Sequence, residues 1–301
     1  MSGSTGSGPA GQALGVLNPL EAPRFAVVDA VTRALTEDLT PLGDITSALL
    51  PTGLTVTAMF VAREIGVVAG RECATETFAQ LDPSVVLDWS FVDGDLVAPG
   101  AVLATATGLL ASILTAERTA LNFLGHLSGI ATRTREFVDA AAKGGSVRIW
   151  DTRKTTPGLR ALEKAAVRAG GGTNHRGNLS DWILLKDNHI ALVGISDAVS
   201  RAHAMWPART VHVECDRIDQ VSEALDAGAD ALLLDNMTPD EVRECVAAAD
   251  ASKRRPLLEV SGGVTLATVA AFAATGVDCI SIGGLTNSAP VLDIGLDIDP
   301  A

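Results

Sequence analysis

The sequence is short of positive charge: 23 Lys and Arg stand against 36 Asp and Glu, a net charge of -13. A general binder of nucleic acid or of an anionic membrane normally carries the opposite sign, so neither is an expected partner. No apolar run is long enough to span a bilayer. Cysteine is scarce as well. Cys73, Cys215, Cys245 and Cys279 lie far apart with no C-x-x-C spacing, which argues against a disulfide framework or a cysteine zinc site. They read as reduced core thiols of a cytoplasmic protein. Residues 1–23 are rich in Gly, Ser and Pro and lack a basic stretch ahead of an apolar one. They are expected to form a disordered leader, not a secretion signal. Gly6 to Gly11 formally match G-x-G-x-x-G, but no strand precedes them and Pro9 interrupts them, so a dinucleotide site is rejected.

With 301 residues, 47% of them hydrophobic, the chain can bury a large core. It suits two domains or one barrel with an addition. Apolar spacing predicts a first helix from Arg24 to Leu35. Residues 53–108 carry short β-favouring runs (Leu54 to Val61, Val85 to Phe91, Val102 to Ala104) cut by Gly, Asp and Pro, the composition of an antiparallel α+β unit. A proline-free helical stretch follows from Leu110 to Ala142, with Gly125 and Gly129 as its weak points. Beyond Val147 apolar strands alternate with amphipathic helices. The strands are Val147–Trp150, Trp182–Leu185, Thr210–Val213, Ala231–Leu234, Leu257–Val260 and Cys279–Ile282. Six such units favour a parallel (β/α) barrel, complete or nearly so.

The residues just after these strands carry the chemistry. In order they are Asp151-Thr152-Arg153-Lys154, Lys186-Asp187, Glu214, Asp235-Asn236, Ser261-Gly262-Gly263 and Gly283-Gly284. Barrel enzymes place their working groups at the C-terminal ends of the strands, so these are expected to share one site. Residues 145–190 hold eight Lys and Arg (148, 153, 154, 160, 164, 168, 176, 186) against four acids (151, 163, 181, 187), a local cationic surplus inside an acidic chain. It points to an anionic small molecule.

Arg153 and Lys154 are adjacent, so a strand-like backbone sends them to opposite sides. Several arginines plus His175 suit a substrate with more than one carboxylate. Glu214 and Asp235 read either as helix caps or as a Mg²⁺ site completed by substrate phosphates. The glycines at 262–263 and 283–284 suit a phosphate at the last two βα loops, against the alternative of simple turns. His203 and His212 read as structural, and Cys215 has no neighbouring base in sequence. Two rival chemistries stay open on the residues alone. Lys186 at a strand end could form a Schiff base, or the pocket could only bind a metabolite, although strand-end acids have little use in a mere anion binder.

Taken together, these residues resemble the quinolinate phosphoribosyltransferase family. The likeness is carried by DTRKTTPGLRALEKAAV from Asp151 and GGGTNHRGNLSDWILLKDNH to His189. AERTALNFLGHLSGIAT from Ala116, Val213-Glu214, Leu234-Asp235-Asn236 and Glu259-Val260-Ser261-Gly262-Gly263 support it, with Glu37-Asp38-Leu39 and Gly43-Asp44-Ile45-Thr46 near the start. Ala165 stands where the family often has tyrosine, which leaves the charged positions intact.

The resemblance implies an α/β fold. An N-terminal α/β sandwich domain (24–120 plus 288–301) would join an incomplete, seven-stranded α/β barrel (121–287) that carries the active site. The C-terminal strand, Val291 to Ile298, would return to the first domain. It further implies that Arg118, Thr152, Arg153, His175, Arg176 and Lys186 bind quinolinate. Lys154, Glu214, Asp235, Ser261, Gly262, Gly263, Ile282, Gly283 and Gly284 would bind phosphoribosyl pyrophosphate. Mg²⁺ would lie at Glu214 and Asp235, with Lys154 or Lys186 assisting decarboxylation. A homodimer is implied, in which Arg118 enters the neighbour's site. A related phosphoribosyltransferase acting on nicotinate is the nearest alternative, and a one-carboxylate substrate needs fewer cations.

Overall fold

The computed structural model describes residues 20–298. The expected leader as far as residue 19, with its glycine motif, lies outside the described residues. Helix α1 (Arg24–Leu39) runs one turn beyond its predicted end and buries Val27, Ala30, Val31 and Leu35 on one side. The antiparallel part contains β1 (Thr55–Ala62), β2 (Gly66–Val67), helix α2 (Arg71–Leu81), β3 (Val86–Trp89), β4 (Leu96–Val97) and β5 (Val102–Leu109). Strand β5 is longer than the run Val102–Ala104 predicts. Its small and hydroxylated residues pair with β1 as far as Leu109, and Thr107 meets Thr57 across the strands, hydroxyl to hydroxyl, at 3.0 Å. Such cross-strand pairs extend a sheet where the hydrophobic pattern has faded.

Helix α3 (Leu110–Ala141) follows directly and runs through the expected domain boundary at 120/121. Its first half packs Ile113, Ala116, Ala120, Leu121 and Leu124 into the core of the antiparallel sheet. Its second half packs Phe123, Leu127, Ile130, Ala131 and Phe137 into the larger core.

The larger core belongs to the alternating part. This comprises β6 (Arg148–Trp150), α4 (Arg160–Ala169), β7 (Ile183–Leu185), α5 (Asp187–Val193), α6 (Ile195–Met205), β8 (Val211–Cys215), α7 (Ile218–Asp226), β9 (Ala231–Asp235), α8 (Pro239–Ala251), β10 (Leu257–Ser261), α9 (Val269–Ala273), β11 (Cys279–Ser281) and α10 (Gly284–Asn287). The six strands form one parallel sheet in the order β6-β11-β10-β9-β8-β7. The seventh position of the implied barrel is reduced to a single parallel bridge, Trp150 to Thr173. The ladder stops there because the next backbone N–H, that of His175, donates to the Asp151 side chain at 2.8 Å and not to a strand. Among the described residues the sheet therefore stays open between Thr173 and β7.

The last strand, β12 (Ile294–Ile298), pairs antiparallel with β1 in the sheet order β12-β1-β5-β3, as the resemblance implies. To get there the chain crosses α3. The Leu292 N–H donates to the Gly125 carbonyl at 2.9 Å. A side chain on Gly125 would lie 3.1 Å from the Leu292 oxygen, and one on Gly129 would collide with the Pro290 carbonyl. The two weak points of the helix are the track on which the returning chain lies. No helix among the described residues is long and apolar enough to cross a membrane.

Gly129→Ala is therefore expected to destabilise the protein by about 1–3 kcal/mol through overpacking. Gly284→Ala, at a helical glycine with open space around it and no positive φ, serves as the control for the substitution without crowding. Urea unfolding of the two variants makes the comparison.

Candidate active site

Side chains on a strand alternate between faces, so residues two apart share one. Leu184 and Lys186, Glu214, Leu233 and Asp235, Glu259 and Ser261, and Ser281 and Gly283 all line one cavity of about 830 Å³ at the C-terminal ends of the strands. Thr152, Arg153, Lys154, His175, Arg176, Gly262, Gly263, Ile282 and Gly284 line it too. Thus every expected site residue except Arg118 faces one space. Arg118 lies on α3 and lines a second cavity of about 380 Å³, together with Glu37, Asp38, His126 and Thr156.

Helix α4 builds the cationic end. Asp151 is fully buried and accepts three hydrogen bonds, from Lys164 Nζ at 2.5 Å, Asn174 Nδ2 at 2.7 Å and the His175 N–H. Lys164 Nζ also donates to the His175 carbonyl at 2.9 Å. Burial pushes Asp151 up and Lys164 down, while their mutual attraction opposes both shifts. One turn earlier, Arg160 donates to the Thr155 hydroxyl and to the Gly177 carbonyl, each at 3.0 Å. Glu163 accepts the Thr156 N–H at 3.1 Å. One helix face thus holds the loops 151–156 and 174–177 together.

The loops present two guanidiniums. Arg176 is buried and donates to the Trp182 carbonyl at 3.4 Å. Arg153 Nε is buried without a hydrogen-bond partner. Among the described residues neither arginine forms an ion pair. Burial lowers the Arg176 pKa, and the neighbouring Arg153 charge adds to the effect. Two gathered cations of this kind form a ready anion site.

Lys154 points the other way, as adjacent strand-like residues should. Its stem passes so close to Gly283 that a side chain there would sit 2.8 Å from Lys154 Cδ. At Gly262, φ is +89° and an added side chain would meet the Asn236 backbone N at 3.0 Å. Gly262 is set by close approach as well as by its positive φ, and Gly283, with φ -64°, by close approach alone. Lys186 Nζ is in a close ion pair with Glu214 Oε2. Asp235 is raised above the ordinary carboxylate value, first by burial and then by Glu214, against the pull of Lys186, Asn236 and Lys154. Two acids that repel each other at a cavity wall suit a divalent cation shared with phosphate oxygens. They are two, and no cluster of three or more His, Cys, Asp or Glu able to hold a metal occurs among the described residues.

Residues 44–128 match the model of the quinolinate phosphoribosyl transferase N-terminal domain, and residues 130–297 that of its C-terminal domain. The chain belongs to the quinolinate phosphoribosyltransferase family. It is 44% identical over 279 residues to the nicotinate-nucleotide pyrophosphorylase [carboxylating] of Mycobacterium leprae, covering 91% of this chain and 97% of that one. It is 40% identical over 302 residues to quinolinate phosphoribosyltransferase [decarboxylating] 1 of Nicotiana glauca, covering 94% and 85%. The nicotinate-nucleotide pyrophosphorylase structure from Francisella tularensis superposes with a TM-score of 0.89 at 36% identity, covering 95% of this chain and 100% of that one.

Several cavity residues of this family member escape a reading of strand ends. Glu259 is the acidic one, and the alternation two residues back from Ser261 would have found it. Arg133 and Phe137 reach the cavity from α3, with the Arg133 guanidinium 4.9 Å from the Phe137 ring centre. No local pattern ties them to the strands. Cys215 faces away from Glu214 and is fully buried, and burial pushes its thiol up to about 12. A nucleophilic role is thereby removed.

His212, one layer below Glu214 in β8, stacks on Trp182 at 5.1 Å. Burial lowers it from 6.5 to about 4, outweighing the attraction of Glu259. The folded protein thus binds fewer protons here than the unfolded chain. Stability is expected to fall as pH drops from about 6.5 towards 4. In His212→Phe this slope should flatten, as read by urea midpoints across that range.

Proposed function

We propose that this chain transfers the phosphoribosyl group of phosphoribosyl pyrophosphate to quinolinate and releases pyrophosphate and carbon dioxide, giving nicotinate mononucleotide for NAD biosynthesis. The observation that carries the reading is the pair of arginines, Arg176 buried and Arg153 half-buried with its Nε enclosed, without carboxylate partners in a cavity that also presents two acids and two glycine turns. A dicarboxylate answers the first feature, and a metal-bound sugar diphosphate the second.

In this reading Arg153, His175 and Arg176, with Thr152 and Lys186, hold the two carboxylates and set the ring nitrogen against the ribose anomeric carbon. Lys154 takes phosphate oxygens. Ser261 to Gly263 and Ile282 to Gly284 cradle the 5′-phosphate. Glu214 and Asp235 would hold Mg²⁺, which when bound neutralises charge on the departing pyrophosphate. The C–O bond to pyrophosphate breaks as the ring nitrogen bonds the sugar carbon, so the ring becomes cationic. That charge holds the electron pair left on the ring carbon when carbon dioxide departs, and the carbon then takes a proton. Lys154 and Lys186 are the residues proposed to assist this step. Arg118 is proposed to enter the neighbouring subunit's site in a homodimer. Its side chain is 67% exposed, with Glu117 as a loose ionic neighbour at 3.9 Å. Four free, buried cysteines suit a cytoplasmic location.

A quinolinate-dependent assay for carbon dioxide and pyrophosphate tests the reading, with nicotinate as the competing substrate. Product from nicotinate alone would overturn it. Arg153→Ala and Arg176→Ala are each expected to raise the quinolinate KM by about tenfold to a hundredfold. Glu214→Gln with Asp235→Asn should abolish the magnesium dependence of turnover, measured by titrating Mg²⁺ against chelator. A double variant with the parent's magnesium curve would move the ion elsewhere.

A further inference from the structure

Under the cavity a buried carboxylate and a buried imidazole face each other without bonding. Glu259 of β10 is fully buried at the cavity wall, and neither of its oxygens has a hydrogen-bond partner. His175 Nε2 is likewise buried and unpartnered, and it lies 3.4 Å from Glu259 Oε2, out of line for a hydrogen bond. The imidazole is hemmed edge-on by two indoles, Trp150 at 5.6 Å and Trp182 at 4.9 Å. A small turn of the ring would satisfy both groups at once. His212 from β8 and Arg153 and Arg176 from the adjoining loops are the other charged or titratable groups of this cluster.

Leaving such groups unpaired costs stability, and an apolar side chain of similar volume would avoid the cost. A group retained against stability marks a place where function sets the residue. We propose that Glu259 is a positioning residue for quinolinate. It accepts the Nε2–H of His175, fixes which ring edge faces the cavity, and, with the ring protonated on both nitrogens between two carboxylates, presents Nδ1–H as a donor to a substrate carboxylate. The inference rests on the reading of this cavity as the quinolinate site and adds to it a residue that never touches substrate. It assigns to the Glu259–His175 pair part of the discrimination between a pyridine dicarboxylate and a monocarboxylate.

The test uses the full chain, with quinolinate and phosphoribosyl pyrophosphate varied separately and thermal melts alongside. Glu259→Leu is expected to raise the quinolinate KM by about tenfold or more. The phosphoribosyl pyrophosphate KM should stay within about twofold. Its melting temperature should hold or rise, because an unpaired buried carboxylate is gone. Glu259→Gln keeps an acceptor for the imidazole and should recover part of the loss. It also carries the comparison if the leucine variant does not fold. Glu259→Leu combined with His175→Gln should be no worse than His175→Gln alone. An unchanged quinolinate KM, both KM values rising together, or additive losses would overturn the assignment. If His175→Gln is silent while Arg153→Ala raises the quinolinate KM, the cavity reading stands and only this inference falls. If Arg153→Ala is silent too, the cavity reading itself fails.

Discussion

The site hangs on one buried carboxylate. Asp151 leaves β6 at the point where its ladder ends, and its two oxygens do the work that a seventh strand would do in a closed barrel. They take the His175 N–H, the Asn174 amide and the Lys164 ammonium, which itself grips the His175 carbonyl. A charged pair this deep is a poor source of stability beside a hydrophobic one, because desolvation consumes most of the attraction. What it provides is direction. Three donors converging on one fixed acceptor leave the 174–176 loop a single path. His175 and Arg176 are therefore set before any ligand arrives, and preorganised charge loses little on binding.

The same economy explains why an acidic protein can gather cations. Of the eight Lys and Arg between residues 145 and 190, only Arg153, Lys154, Arg176 and Lys186 line the main cavity. Arg160, Lys164 and Arg168 stand four residues apart on α4 and serve as scaffold for the loops, while Arg148 lies at the opposite mouth of the sheet. Carboxylates stand close to the gathered charge, Glu214 in its ion pair with Lys186 and Glu259 beneath His175. Like charges held this close would otherwise spread the loops apart, so the acids near them are part of how the cationic wall survives in the unliganded protein.

Much of this was legible in the order of residues. Strand after strand ends in a chemically able group, and the structure brings those groups to one cavity. Gly125 and Gly129 showed as flaws in a long helix, and the flaws are where the returning chain crosses. Arg160, Lys164 and Arg168 recur every four residues, the spacing of one helix face, but the count of charge merged scaffold with site. Glu259 was hidden for a different reason: it lies inside a strand and not at its end, and only the two-residue alternation connects it to Ser261. The single bridge at Thr173 was beyond reach, because it depends on the Asp151 side chain, twenty-four residues before His175, outcompeting the backbone for the His175 N–H. Arg133 and Phe137 approach from a helix of another layer, a relation set by packing and not by any local pattern.

The distribution of unsatisfied groups carries the same division between fold and function. Folded proteins pair nearly all of their buried polar atoms, so the exceptions mark where another demand prevails. Among the described residues the buried side-chain atoms without a partner are those of Arg153, His175, Trp182, His212 and Glu259, with Arg71 alone lying elsewhere. Five residues from five different stretches of chain share this state, and all five lie at or directly beneath the cavity wall. Poor folding does not explain so local a pattern, since β8 and β10, which carry His212 and Glu259, are paired with strands on both sides. The cost is concentrated where cations must face outward from the wall and imidazoles must keep a free edge. A hydrophobic floor would hold the barrel better, and it would leave nothing to orient a doubly charged ring.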